Sequence, residues 1–330
     1  MKCAIPSGIT VKIAVSPPLP LQRAFMIVRP QYHWFRRLFI WHGSVLPHIL
    51  LRLCLNLLMA LLAVSCTRWY GQWGIRLTLA PFSVLGVAIA IALGFRNNAS
   101  YARFAEARLL WGQLLITQRS LLRQVKSMLP QRQRDSEYCA ALQIGFCHAL
   151  KHQLRQSDPR ADLARVLPAG VLAQLRQHPA PGNRLLLLLG QWFGQLRSRQ
   201  QLSDILFQAL DGNLNQLSSI LGGCERIANT PIPLAYTLIL HRSVYLFCTL
   251  LPFALVSELH YMTLLVSVFV SYTLISLEYL AEELEDPFGS RENNLPLHAL
   301  CNAIEISLLE MNDARWLPGR HQADHRYRLM

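Results

Sequence analysis

The stretch from Leu77 to Trp111, LTLAPFSVLGVAIAIALGFRNNASYARFAEARLLW, constrains this chain more than any other. Its first half, Leu77 to Phe95, carries no charge, and as a helix it extends ~28 Å at 1.5 Å per residue. A bilayer's hydrocarbon core is about 30 Å thick, so this half is long enough to cross one. Arg96, Arg103, Glu106 and Arg108 follow with no proline to end the helix. The stretch therefore reads as one long helix, half in an apolar medium and half in water. Within the apolar half, Val87, Ile91 and Phe95 recur at i, i+4, i+8 and share one stripe. Either that stripe is buried packing or it faces a narrow hole.

Composition points the same way. The chain is 52% hydrophobic and 15% charged, well below the quarter or so typical of soluble domains. Its formal net charge of +13 comes mostly from arginine. Basic membrane proteins owe such an excess to cytoplasmic loops rich in Lys and Arg. Nucleic acid is not expected as a partner, because no RNA- or DNA-binding motif accompanies the charge. The eight cysteines include no CxxC pair. They read as reduced packing residues, and neither a disulfide framework nor a cofactor site is expected.

In order along the chain, residues 1–25 are broken by Pro6, Pro17, Pro18 and Pro20 and lack the continuous apolar core of a secretory signal. They are expected to be disordered or untranslated, with Met26 as the start. Residues 26–43 mix Arg36 and Arg37 with Trp34, Phe35, Phe39 and Trp41, a pattern suited to the bilayer surface. Residues 44–95 hold two membrane helices. The first, Ser44 to Val64, carries His48, Arg52 and Asn56 on one stripe, which should face protein or water, since an arginine facing lipid is costly. Trp69, Tyr70 and Trp73 mark the opposite interface.

Residues 96–230 contain 17 Lys and Arg against eight Asp and Glu, so this block is expected in the cytosol as packed amphipathic helices. The run Leu185 to Leu189 is too short to span. His148 and His152, four apart, have the spacing of a metal pair, but without HExxH or a nearby carboxylate an exposed helix face is favoured. Residues 231–280 hold two more spans, 231–257 and 262–277, joined by a loop without Lys or Arg. Residues 281–330 carry nine acidic and five basic residues, opposite in sign to the middle block, and are expected to pack against it or against neighbouring subunits. No phosphate-binding loop, nucleophile elbow or catalytic His–acid pair occurs in 106–230, which argues against an enzyme. A membrane-anchored scaffold or signalling protein stays open as a further class.

Four segments together, RPQYHWFRRLFIWHGSV, APFSVLGVAIAIALGFRNNASYARFAEARLLWG, CERIANTPIPLAY and LAEELEDPFG with NNLPL, resemble the bestrophin family in its bacterial branch. The resemblance runs from Met26 to about Glu310. It implies an all-α, multi-pass membrane protein with four transmembrane helices and a helical cytosolic region. It also implies a homopentamer with one central pore in the bacterial inner membrane, both termini being cytoplasmic. Its partners would be its own copies, membrane lipid and permeating monovalent ions.

Carried over by position, the family's hydrophobic neck falls on Val87, Ile91 and Phe95. Its cytosolic constriction falls on Ile205 in LSDILFQAL, where Asp204 and Asp211 are placed to favour cations or simply to face solvent. Animal members have more phenylalanine in the neck and pass chloride. Here Val87 and Ile91 are aliphatic, and the bacterial resemblance implies sodium or potassium instead, with an anion channel as the alternative. After the PFG this chain has one acid, Glu292, where animal members have a dense acidic run that helps bind calcium. Glu282, Glu283, Glu285 and Asp286 precede it and are weak calcium candidates. They are otherwise a junction paired with arginines of the basic block.

Overall fold

Long uninterrupted runs of helix formers, punctuated by proline, set the architecture of the computed structural model. It describes residues 26–27, 35, 44–66, 78–129, 133–175, 178, 180–321 and 328–329. The expectations for residues 1–25, for most of 26–43 and for Trp69, Tyr70 and Trp73 fall outside these residues. The chain divides into two compact units, one formed by 29–105 with 230–287 and the other by 1–28, 106–229 and 288–330.

The first unit contains α1 (Leu46–Ser65), the N-terminal part of α2 (Leu79–Met128), α8 (Leu234–Leu259) and α9 (Met262–Glu285). Pro47 lies in the first turn of α1, where its missing N–H has no partner to lose. All four helices are long and apolar enough to cross a membrane. At 1.5 Å per residue the 50 residues of α2 reach roughly 75 Å, about two and a half times a hydrocarbon core. The core between them includes Ile49, Leu53, Leu93, Val244, Phe247 and Leu274. α9 packs on α1 and α8, and its small polar Thr263, Ser267 and Ser271 are buried at i, i+4, i+8. Such residues allow helix axes to approach closely in an apolar medium. Between α8 and α9 the chain reverses through His260, which has a φ of 47°.

The second unit holds the rest of α2 with α3 (Gln133–Leu154), α4 (Arg160–Val166), α5 (Ala169–Leu175), α6 (Pro181–Ser198), α7 (Asp204–Asn229) and α10 (Leu297–Met311). α3 is its centre. Every residue from Cys139 to His152 is buried, and the helix contacts α4, α6, α7 and α10. A Cβ added at Gly145 would stand 2.7 Å from Leu167 Cδ2, so that neighbour lies against bare backbone. The leucines of the short run lie in α6, with Leu185, Leu186, Leu188 and Leu189 buried. A two-residue antiparallel ladder pairs β1 (Met26–Ile27) with β2 (Arg328–Leu329).

Candidate functional site

The membrane half of α2 has two unlike faces. Ile89, Leu93 and Arg96 are buried at i, i+4, i+7, while Val87, Ile91 and Phe95 are 61%, 55% and 66% exposed. α8 enforces that division. A Cβ at Gly86 would stand 3.2 Å from Phe247 Cζ, so the α2 backbone lies tight against that ring, which also meets Phe82 at a centroid distance of 6.1 Å. The stripe is left as an uncovered apolar band on a helix with only 17% of its spanning window buried.

Ile205 lies in the first turn of α7 and is 80% exposed. Beside it, Asp204 Oδ1 accepts a hydrogen bond from Arg197 Nε at 2.6 Å, and the Arg197 guanidinium lies 5.3 Å from the Phe207 ring centroid. Asp211 accepts from Asn215 Nδ2 at 3.1 Å. Asp204 is therefore partly neutralised, which weakens its case as a lone cation attractor.

One residue past Phe95, α2 turns Arg96 inwards, where it is fully buried. Arg96 Nη1 donates to Glu278 Oε1 at 3.4 Å, and Nη2 stands 3.6 Å from Glu285 Oε2. Glu278, on α9 and 1% exposed, also meets His241 Nδ1 of α8 at 3.0 Å and Arg52 Nη1 of α1 at 3.8 Å. Each helix of the unit thus brings one charged or titratable side chain to a single buried carboxylate. The polar stripe on α1 finds partners on α8 and α9, although of its three residues only Asn56 is buried. His48 stacks on Tyr279 with centroids 5.3 Å apart, Arg52 lies over Tyr245, and Asn56 Nδ2 donates to the Cys248 carbonyl at 2.6 Å. Sequence reading did not single out Glu278. The signal was a carboxylate closing the apolar run MTLLVSVFVSYTLISL, because an ionisable group at membrane depth demands partners.

Of the four acids offered for calcium, Glu285 is engaged with Arg96, and its backbone carbonyl accepts from Arg103 Nε at 3.1 Å. Among the described residues, no three or more His, Cys, Asp or Glu side chains gather as a metal site.

His148 and His152 correct the expectation of an exposed helix face. Both are buried, because α3 is the centre of its unit and its polar residues find partners inside. His148 places Nε2 3.0 Å from Glu305 Oε2 and Nδ1 3.3 Å from Asp162 Oδ2. Burial alone would lower its pKa, but the hydrogen bonds to Asp162 and Glu305 outweigh that and raise it to about 9. Burial would likewise raise Glu305, yet Arg165 and His148 hold it at about 2. Asp162, also against burial, is held well below the carboxylate range by His148 and His152. Lys151 Nζ donates to Asp162 at 2.5 Å. His298 is pushed down to about 3 by burial and by Lys151 and Arg155. The free thiols of Cys147 and Cys301 are 3.2 Å apart inside the same unit. The opposed charges of the middle and C-terminal blocks do meet, in Arg165–Glu305 and in Lys126–Asp313 at 2.6 Å.

Described residues that are helical apart from one two-residue ladder, with four apolar helices long enough to span and one of them continuing into the second unit, make a multi-pass membrane architecture. Residues 26–310 match the Bacterial/Fungal Bestrophin protein family, and the chain belongs to it. It is 57% identical over 304 residues to the Voltage-dependent anion channel-forming protein YneE of Escherichia coli strain K12, covering 92% of this chain and 100% of that one. The Voltage-dependent anion channel-forming protein RSc3414 of Ralstonia nicotianae is 42% identical over 288 residues, 87% of this chain and 94% of its own. A crystal structure of a bacterial Bestrophin homolog from Klebsiella pneumoniae superposes with a TM-score of 0.80 at 55% identity, covering 81% of this chain and 100% of that chain.

Proposed function

We propose that this chain forms a homopentameric ion channel of the bacterial inner membrane with both termini cytoplasmic. Val87, Ile91 and Phe95 of each protomer build a hydrophobic neck around one axis, and Ile205 builds a second constriction near the cytosolic exit. The observation that carries the reading is the bare apolar stripe on α2. Its side chains are exposed in the protomer, while Ile89, Leu93 and Arg96 on another face of the same helix are buried. Around an axis those residues become stacked apolar collars. An ion passing them sheds part of its hydration, so a small change in radius gates flow by wetting or drying the collar. The basic 96–230 block supports a cytosolic position for that region.

The permeant species are monovalent ions, and sodium or potassium is the reading the neck favours. Aliphatic Val87 and Ile91 present no ring edges, the positive rims through which aromatic collars attract anions. A second reading, passage of chloride, is favoured by the printed names of the YneE and RSc3414 relatives as anion channel-forming proteins. In protein reconstituted into liposomes, Ile91→Ala raises ion flux relative to the unsubstituted channel. Unchanged flux from an intact oligomer would assign Ile91 to packing. The reversal potential in a sodium chloride gradient separates the ions, falling towards the sodium potential on the first reading and the chloride potential on the second.

A further inference from the structure

We infer that Glu278 is a positioning residue for the neck: it locks the rotation of α2, and thereby sets which side chains α2 presents as the apolar stripe. The inference rests on the reading of Val87, Ile91 and Phe95 as that neck.

Successive residues on a helix are about 100° apart, so Phe95 and Arg96 occupy adjacent sectors of α2. A rotation of that size would replace the last apolar collar with a guanidinium. The apolar packing of Ile89 and Leu93, and the fit of Gly86 against Phe247, oppose such a rotation but leave room for smaller turns of the helix. The Arg96–Glu278 contact has a fixed partner and a fixed sector. It is also buried, with Arg96 fully inaccessible and Glu278 1% exposed, so water does not screen it as it would at a surface.

Glu278 is itself held from three sides. His241 of α8 meets the same Oε1 at 3.0 Å, Arg52 of α1 approaches Oε2 at 3.8 Å, and α9 carries the carboxylate. The reference point for α2 is therefore shared by the other three helices of its unit. Arg96 has a second anchor in Glu285 Oε2 at 3.6 Å, one further α9 residue two turns on. Removing the charge of Glu278 leaves Arg96 and Arg52 without their common counter-ion and facing one another's charge. Arg96 then keeps only Glu285, which is itself partly exposed, and gains by turning with it towards hydrated surface, a motion that carries Phe95 off the stripe.

The test is ion flux and unitary conductance of the full chain reconstituted in liposomes and planar bilayers, for Glu278→Gln, Glu278→Asp, Ile91→Ala and the Ile91→Ala/Glu278→Gln double variant. E278Q keeps the size of the side chain and should change conductance. E278D keeps the charge but withdraws it by one methylene, and should change it less. In the Ile91→Ala background, where the collar is already open, E278Q should change conductance by a smaller factor than it does alone. An equal factor in both backgrounds, or no change from an assembled E278Q channel, overturns the inference. If E278Q does not assemble, E278D in the same two backgrounds decides the same question. Should Ile91→Ala itself leave conductance unchanged, the neck reading fails instead, and the two failures are distinct.

Discussion

Glu305 sits 3% exposed in the second unit and remains ionised because His148 and Arg165 both donate to it. Its carboxyl is held at about 2 against an ordinary value of 4.5. A carboxyl depressed on folding contributes stability that is fully present above its unfolded value and is lost as pH falls through its folded one. The window is therefore from about 4.5 down to about 2, and Asp162 acts in the same direction. Glu305→Gln should lower the melting temperature at neutral pH, since removing one member of a buried charged pair costs roughly 3–5 kcal/mol. It should also flatten the acid fall in melting temperature that the unsubstituted protein shows. Thermal melts of the detergent-solubilised channel at a series of pH values check both, and an acid slope identical in the two proteins would remove Glu305 as its source. The i, i+4 spacing of His148 and His152 was plain in the sequence, but their burial was not. Asp162 lies ten residues from His152, and Glu305 lies 157 residues from His148. Local spacing carries no information about a partner that only tertiary packing delivers, and for Glu278 the sequence showed the need for partners but not which residues supply them.

Helices were the legible level. Apolar length placed these helices within a few residues, with Ser44 to Val64 expected against Leu46–Ser65 and 231–257 against Leu234–Leu259. The last span, 262–277, is expected to run on into the acidic segment, and the helix does continue, as far as Glu285. A hydropathy reading stops at the first acids, whereas Glu residues are good helix formers and Glu278 is neutralised by its neighbours. Proline also opens helices, and α5 begins at Ala169 directly after Pro168. α2 itself gives the sharpest contrast between packing and presentation. Leu93 is fully buried in the core of its unit and Ile91 is not. Leu93→Ala should destabilise by about 2–5 kcal/mol through transfer and cavity terms, whereas Ile91→Ala should leave stability within about 0.5 kcal/mol, as exposed positions do. Melting temperature and ion flux measured on the same preparations separate the two roles. Equal loss of stability from both substitutions would mean that the stripe is packed in the assembly and lines nothing.

In the proposed pentamer the neck of Val87, Ile91 and Phe95 carries no fixed charge. Beyond the bias of its aliphatic collars, a second source of selection has to come from charges elsewhere on the pathway. That source is whatever ionised groups ring the pathway, and the group beside Ile205 is the Asp204–Arg197 pair. Both members are substantially exposed, so the pair contributes little to stability. Its importance is its sign. Repeated around an axis, the pair is neutral overall, and deleting one member leaves a ring of like charge at a narrow mouth, where a low-dielectric wall focuses the field on passing ions. Arg197→Gln should move the reversal potential in a sodium chloride gradient towards the sodium potential, and Asp204→Asn should move it towards the chloride potential. Opposite shifts of this kind would place the selecting charge at the Ile205 constriction whichever ion the unsubstituted channel prefers. If neither substitution shifts the potential while both channels still conduct, the mouth formed by α7 does not select. The choice of ion would then lie with the collars of α2 and with how far they strip water from what passes.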